Sequence, residues 1–325
     1  MLPSSVSVED GPDGPCLFSS FAALPSNRTA LELVTAFAAG RVPLAFVQGP
    51  AGWGKTHLLR LAARAVGGRL GTPVRLISSL SISKPVSSIE REGALIVDDL
   101  HLAAGQPRVR QHLLMTLERR ARARRPTLCA CLTGGCGAPR RLLPLPREWR
   151  HATLEEPSPE ERVEVLNALG RTAGVSLSEA AARLICRLVR GDGRSLYGAI
   201  TRLRVAAGQD LSGICPLRVA GLLNPYLQDE RGIDLRDIVE DAVSRSLGSR
   251  LRRSEPEIPR TLAVYVMRRV MGLAERSVAA YYGLPPARVF RIERRAEQAL
   301  GRGERTLRDG LERVVCHIER RLDEF

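Results

Sequence analysis

The octapeptide Gly49-Pro50-Ala51-Gly52-Trp53-Gly54-Lys55-Thr56 constrains this chain more than any other stretch, because it stands between a β-rich run, Leu44 to Gln48, and a helical pattern that starts near Lys55. A glycine-rich turn joining a strand to a helix is the phosphate-loop pattern. Its glycines let backbone N–H groups turn inward around a polyphosphate, and the helix N-terminus adds its positive dipole end. In that reading Lys55 reaches the terminal phosphates and Thr56 ligates Mg²⁺, so the expected ligands are ATP or ADP with Mg²⁺. The alternative is a chance glycine turn, against which the flanking strand and helix argue.

The surrounding sequence extends the same architecture. Short β-rich runs at Leu44 to Gln48, Val74 to Ser78, Ala94 to Asp98, Thr127 to Leu132 and Ala152 to Leu154 alternate with helical patterns, which predicts a parallel five-stranded sheet covered by helices. After Pro157 the strands are expected to stop. Amphipathic helices follow at Pro159 to Gly170, Ser178 to Arg190, Arg194 to Ala207 and Pro216 to Leu223, the first opened by a capping box of Ser158 with Glu161. A further helix is expected over Asp234 to Leu247. The predicted organisation is a flexible leader over 1–17, an α/β core over 18–156, a helical lid over 157–226 and an all-α region over 227–325, with the last boundary near Asn224 to Arg231.

Ala94-Leu95-Ile96-Val97-Asp98-Asp99 is an apolar strand that ends in two acids. Such an end alone is commonly plain strand termination. One βαβ interval after a phosphate loop it has the shape of a Walker B element, with Asp98 holding Mg²⁺ through water and Asp99, the catalytic candidate, orienting an attacking water.

Composition narrows the partners. The 44% hydrophobic and 26% charged content is that of a globular chain, no run has the roughly 18 uncharged apolar residues of a membrane span, and Met1 to Asp10 lacks a basic region followed by an apolar core, so a cytoplasmic protein is expected. Of the seven cysteines only Cys129, Cys131 and Cys136 cluster, without CxxC spacing, and Cys129 and Cys131 fall at strand period, which reads as core packing. The five histidines show no paired-ligand spacing, and no zinc is assigned. The net charge of +14 is almost all arginine, since Lys55 and Lys84 are the only lysines, and it points to a polyanion partner or to a merely Arg-rich surface. Position favours the former: Arg245 to Arg295 holds twelve arginines and four glutamates. A second basic run, Arg119, Arg120, Arg122, Arg124 and Arg125, reads as a solvated helix end or, less simply, a DNA groove.

Ser277 to Leu300 has a helix-turn-helix pattern. Ala279 is small where two helices would cross, Gly283 makes the turn, and Val278, Leu284, Val289 and Ile292 supply a core. The second helix, Pro286 to Leu300, would bury Val289, Ile292, Ala296 and Leu300 and turn Arg288, Arg291 and Arg295, with Arg294 beside them, outward.

Ser26-Asn27-Arg28, the string Gly52-Trp53-Gly54-Lys55-Thr56-His57-Leu58-Leu59 and Asp98-Asp99-Leu100-His101 together resemble the AAA+ core of the bacterial replication initiators of the DnaA/Hda family. The likeness continues through Trp149 with Pro157 beyond it, through Gly193-Arg194-Ser195-Leu196-Tyr197-Gly198-Ala199, and into Pro259 to Tyr265 and Ser277 to Val289, which are similar to the initiators' DNA-binding domain. By that resemblance Asn27 and His57 join the nucleotide site, Arg194 is the sensor-2 arginine that touches nucleotide, and Arg250, Arg252, Arg253 and Arg260 join Arg288, Arg291, Arg294 and Arg295 as DNA contacts.

The departures are as informative. The family's arginine finger falls on Pro146 here, with Arg147 one step away as the catalytic candidate, and the sensor-1 position Thr133-Gly134-Gly135 offers no Asp or Asn, which implies slow ATP hydrolysis or none. Only fifteen residues separate Ser78 from Ala94, where initiators carry a longer helical insertion that contacts single-stranded DNA. Pro285-Pro286-Ala287-Arg288 replaces the family's base-reading residues, so a different DNA site is expected, and Ser254, Glu255 and Glu257 interrupt the basic loop at 250–253.

The expected protein is an ATP-binding, sequence-specific binder of double-stranded DNA at the nucleoid, acting in initiation or regulation of replication, with initiator or replisome proteins as partners and nucleotide-dependent self-assembly. Two alternatives stand beside it: a helicase-loader or transposition-helper ATPase, and a transcription regulator that uses nucleotide as a structural ligand.

Overall fold

The computed structural model describes residues 21–71, 74–81, 93–133, 143–247 and 257–324, without the side chains of Arg75 and residues 229–231. The leader over 1–17, the short segment after Ser78 from 82 to 92, Gly134 and Gly135, Cys136, and Arg250, Arg252, Arg253, Ser254 and Glu255 lie outside them. The chain forms two compact units, Met1–Ala168 and Leu169–Phe325.

The first unit is built on five parallel strands: β1 (Leu44–Gly49), β2 (Arg75–Ser78), β3 (Leu95–Asp98), β4 (Thr127–Leu132) and β5 (Arg150–Thr153), in the order β2-β3-β4-β1-β5. Strands buried on both faces need apolar residues at every position rather than at alternate ones. That is why β1, β3 and β4 read as continuous apolar runs. Successive residues serve opposite layers. Leu44, Phe46, Leu95, Val97, Cys129 and Cys131 pack with Leu113 and Leu117 of α3 (Pro107–Arg122), Leu143 and Trp149. Ala45, Val47, Ile96, Leu128 and Ala130 pack with Val34 and Phe37 of α1 (Arg28–Ala38) and Leu58, Leu59 and Val66 of α2 (Lys55–Leu70). Cys129 and Cys131 are core residues, and burial pushes both thiols' pKa up.

Parallel register brings the C-terminal ends of the strands to one edge, Gly49 beside Leu132 and Ser78 beside Asp98. Crevices outside those ends are where open α/β sheets bind ligands. The capping box forms as the sequence predicts: Glu161 N–H donates to Ser158 Oγ at 3.2 Å and Ser158 N–H to Glu161 Oε2 at 2.8 Å, opening α4 (Pro159–Ala173).

The second unit corrects two expectations. Strands do not stop at Pro157, since β6 (Ser176–Leu177) and β7 (Asp210–Leu211) pair in parallel. Two residues per strand are too few to show a period of two. The helix expected over Pro216 to Leu223 is longer: α7 runs Pro216–Arg231 with Pro225 inside it and ends at Gly232. Buried Asn224 accepts the Leu235 N–H at 2.8 Å, joining α7 to the start of α8 (Leu235–Ser246), whose cap is Asp234. Pro225 reads as a stop in the sequence, and the tertiary bond from Asn224 is not visible there.

α5 (Glu179–Leu188) and α6 (Gly193–Ala207) pack with α7. α9 (Glu257–Tyr265) continues as a π-helical turn to Val270 and is followed by α10 (Glu275–Tyr282), α11 (Pro286–Gly301) and α12 (Arg305–Asp323). α12 packs on α8 and α11 on α9. Gly283, at φ 61°, caps α10 in the left-handed region that favours glycine, making the turn its position predicts.

Candidate functional site

The turn from β1 into α2 is the phosphate-loop sequence. Gly54 has φ 93°, and a Cβ there would sit 2.9 Å from the Phe21 ring, so backbone conformation and space both call for glycine. Lys55 is only 7% exposed; its Nζ donates to the carbonyls of Gly49 at 2.9 Å and Pro50 at 2.6 Å. The ammonium is thereby held against the loop that surrounds it. Thr56 Oγ1 lies 2.6 Å from Asp98 Oδ2, and Asp98, 7% exposed, also accepts the Asp99 N–H at 2.9 Å. Paired hard oxygens from a hydroxyl and a carboxylate suit Mg²⁺. Sequence pairs that are 42 positions apart thus meet at one point of the sheet edge.

Asp99 adopts the left-handed conformation at φ 51°, and its carbonyl accepts the Ser79 hydroxyl at 2.7 Å. Two residues on, His101 Nδ1 accepts the Leu132 N–H at 3.3 Å, tying the end of β3 to the end of β4. These bonds fix the backbone on which Asp98 and Asp99 stand.

Around the loop, Asn27 is buried and fully engaged locally: its Oδ1 accepts Leu24 N–H at 3.0 Å and its Nδ2 donates to Ala22 at 2.8 Å. It shapes the segment that brings Phe21 over the loop. His57 stacks on Phe21 with ring centroids 5.8 Å apart, and partial desolvation, with Arg60 and Arg64 nearby, holds its pKa below the ordinary histidine value. Glu161 Oε1 accepts the Ser26 N–H at 2.9 Å; although desolvation acts the other way, the N–H groups of Ser26 and Ser158 keep its carboxyl below the usual range. Arg162, unmarked in the sequence beyond its place in an amphipathic helix, lies over the Trp53 ring at 5.2 Å.

Arg147 is exposed on the short turn Pro146–Glu148, which Trp149 anchors by donating Nε1–H to the Pro144 carbonyl at 2.9 Å. The basic run at the end of α3 is not wholly solvated: Arg119, Arg122, Arg124 and Arg125 are exposed, but Arg120 is not. Arg120 is 1% exposed and donates to Thr127 Oγ1 at 2.9 Å and the Pro126 carbonyl at 2.8 Å, while Arg122 pairs with Glu118 and Arg124 with Glu148.

In the second unit Arg194 is exposed in the first turn of α6, where Asp192 accepts its backbone N–H at 2.9 Å. Arg288, Arg291, Arg294 and Arg295 are all exposed along α11, and Val289 and Ala296 are buried on its opposite side. Leu284, Ile292 and Leu300, expected as core, are half-buried. The sequence pattern misses Glu293, which is 2% exposed and pairs with Arg268 at 3.1 Å and with Arg269. Arg260 is exposed on α9, its guanidinium 5.8 Å from the Tyr282 ring centroid.

No protein-family model matches the sequence. The chain is 24% identical over 300 residues to the chromosomal replication initiator protein DnaA of Thermus thermophilus, spanning 82% of this chain and 67% of the relative. It is 25% identical over 301 residues to DnaA of Thermomicrobium roseum, spanning 82% and 64%. Among solved structures, domain III of Thermotoga maritima DnaA superposes with a TM-score of 0.54 at 22% identity, covering 67% of this chain and 100% of that one. A replication initiator DnaA bound to AMPPCP and single-stranded DNA superposes with a TM-score of 0.53 at 16% identity, covering 93% and 97%. With a phosphate-loop sequence at the edge of a β2-β3-β4-β1-β5 sheet, the chain has the fold of the AAA+ core of DnaA and is similar to that protein along four fifths of its own length.

Proposed function

We propose that this protein binds ATP with Mg²⁺ in the Gly49–Thr56 loop and binds duplex DNA through α11, acting in initiation or regulation of DNA replication. The observation that carries the reading is that one chain holds both a Lys55–Thr56–Asp98 cluster at a sheet edge, with Lys55 and Asp98 buried, and an α-helix with four exposed arginines. In this reading Gly49, Pro50, Ala51, Gly52, Trp53 and Gly54 wrap the phosphates and Lys55 faces the terminal ones. Thr56 and Asp98 would hold Mg²⁺, which when bound neutralises phosphate charge. Asp99 would orient water, Arg194 would read the terminal phosphate, and Arg147 would serve a neighbouring copy in a nucleotide-dependent assembly. The relatives' name, replication initiator, supports the cellular role, which would be exercised in the cytoplasm at the nucleoid.

On DNA, Arg288 and Arg291, in the N-terminal half of α11, are assigned to bases, and Arg294, Arg295, Arg260, Arg250, Arg252 and Arg253 to phosphates. The Pro285 to Arg288 sequence differs from the family's reading residues, so the preferred site should differ from the initiators' box. A Thr133-Gly134-Gly135 segment without Asp or Asn favours occupancy of DNA over turnover as the output.

Calorimetry of the full chain with ATP, and selection from a random duplex library with ATP present, test both halves. Expected are saturable ATP binding, one enriched motif, and affinity that falls steeply with salt as counterions are released. Recovery of the initiator box would refute the altered specificity, and binding that is neither enriched nor salt-sensitive would refute the DNA reading.

A further inference from the structure

α11 carries something besides arginine on its outer side. Phe290 is 46% exposed, which puts a large apolar ring in water on the outer side of the helix. Its position is not isolated. Ala287, Phe290, Arg291 and Arg294 follow the i, i+3, i+4, i+7 spacing that places four residues along one helix face. All four are exposed, and they start in the first turn of α11. The helix therefore has two faces with apolar content: an inner one through Val289 and Ala296, which packs, and an outer one through Ala287 and Phe290, flanked by cations.

The ring is also held. The Arg294 guanidinium lies over it with its carbon 5.4 Å from the ring centroid, and Arg294 in turn reaches Glu297 at 3.4 Å. Glu297 is fixed from the other side by Arg269 at 2.6 Å. A chain of charged groups thus positions Arg294 above Phe290, so the ring presents a defined apolar surface rather than a freely turning one.

Charge decides the occupant. An apolar protein surface would leave Arg288, Arg291 and Arg295 beside the ring without anions, and a phospholipid surface, though it offers phosphates, would take a run of apolar side chains where α11 exposes one ring, whereas the major groove of duplex DNA offers phosphates at its walls and, on its floor, one exposed apolar group, the thymine 5-methyl. We infer that Phe290, with Ala287, reads thymine methyl groups in the major groove, as a specificity-determining contact between the arginines that anchor the helix. The inference rests on the duplex-binding reading above and adds a base chemistry to it: the preferred site contains at least one thymine whose methyl faces α11.

The test removes the methyl and nothing else. The full chain is titrated by fluorescence anisotropy with its library-selected duplex, and with duplexes in which single thymines are replaced by deoxyuridine. For the native protein, one or two replacements should each weaken binding about fourfold, the fold-change that loss of one buried methyl produces. Phe290→Ala should bind the all-thymine duplex with a similar loss and should show no further penalty at those positions; Phe290→Leu should retain part of the discrimination. Because Phe290 is exposed, both variants should keep the native melting temperature. A full deoxyuridine penalty in Phe290→Ala, unchanged binding by that variant, or indifference of the native protein to deoxyuridine on a duplex it binds tightly would overturn this inference and leave duplex binding standing. Loss of duplex binding altogether would overturn both. A concentration-dependent dimer abolished by Phe290→Ala, with DNA binding unaltered, would assign the ring to a second copy of the chain and also overturn the inference.

Discussion

The phosphate loop and the outer face of α11 are built in opposite ways. At the loop, Lys55, Thr56 and Asp98 are engaged with one another or with backbone carbonyls, and Lys55 and Asp98 are buried. On α11, Arg288, Arg291, Arg294 and Arg295 are exposed, Arg294 reaching the half-buried Glu297, and the buried charge is instead Glu293 on the inner side. Buried polar groups must find partners within the fold, which fixes residue type and spacing. Exposed cations meet no such requirement, so their identity answers to the partner. The loop therefore keeps a sequence signature that is legible in isolation, while the α11 face is free to diverge, as Pro285 to Arg288 have.

The largest effect should fall at the loop. Lys55→Ala removes the cation assigned to the terminal phosphates, where one charge-assisted hydrogen bond is worth about 1.5–3 kcal/mol, so ATP affinity measured by calorimetry should drop about ten- to a hundredfold with the circular dichroism spectrum unchanged. Retained affinity would mean that the loop is not the site and that the contrast with α11 is misplaced.

Next comes the inner side of α11. Glu293→Ala leaves Arg268 and Arg269 without their shared carboxylate and should lower unfolding free energy in urea by about 3 kcal/mol, as broken buried pairs do. Arg295→Ala on the outer side should change it by less than about 0.5 kcal/mol. Equal effects would erase the distinction between the two sides of this helix.

Arg194→Ala should weaken ATP binding by about 1.5–3 kcal/mol, the value of a charge-assisted bond, and ADP binding by clearly less. Competition calorimetry reads the difference, and equal losses would remove Arg194 from the terminal phosphate.

On DNA, Arg291→Ala should cost about 1–3 kcal/mol on the selected site and relax preference at one base pair, whereas Arg295→Ala should weaken all duplexes alike and reduce the salt slope by about one. Quantitative binding to single-base variants separates the two. The smallest effect is expected from Arg162→Ala: it removes the cation over Trp53 and should lower ATP affinity about two- to fivefold, matching a stacking energy of about 0.5–1 kcal/mol.

What the sequence discloses follows the same division. All five sheet strands, the capping box of α4 and the turn at Gly283 are local patterns, and each forms within a residue or two of its predicted place. β6 and β7 escape because two residues carry no period. The continuation of α7 escapes because Pro225 argues locally for a stop while Asn224 acts through a partner eleven positions away. Arg162 over Trp53, Arg120 against Thr127 and Glu293 between two arginines are likewise contacts in space, for which the chain offers only an unremarkable charged residue in a helix.

The bond from Asn224 to the Leu235 amide bears on how this chain can vary. Connections between helices ordinarily absorb insertions and deletions, since they run over the surface and cost little to lengthen. Here the span is fixed at eleven positions by a buried amide at one end and a helix start at the other, with Gly232 turning the chain between them. One added or lost residue would move the Leu235 N–H off its acceptor and strand a buried side chain. Homologous chains that place an asparagine at this point of the helix should therefore keep the length of this turn while differing freely in sequence through it, and should take up their length differences elsewhere.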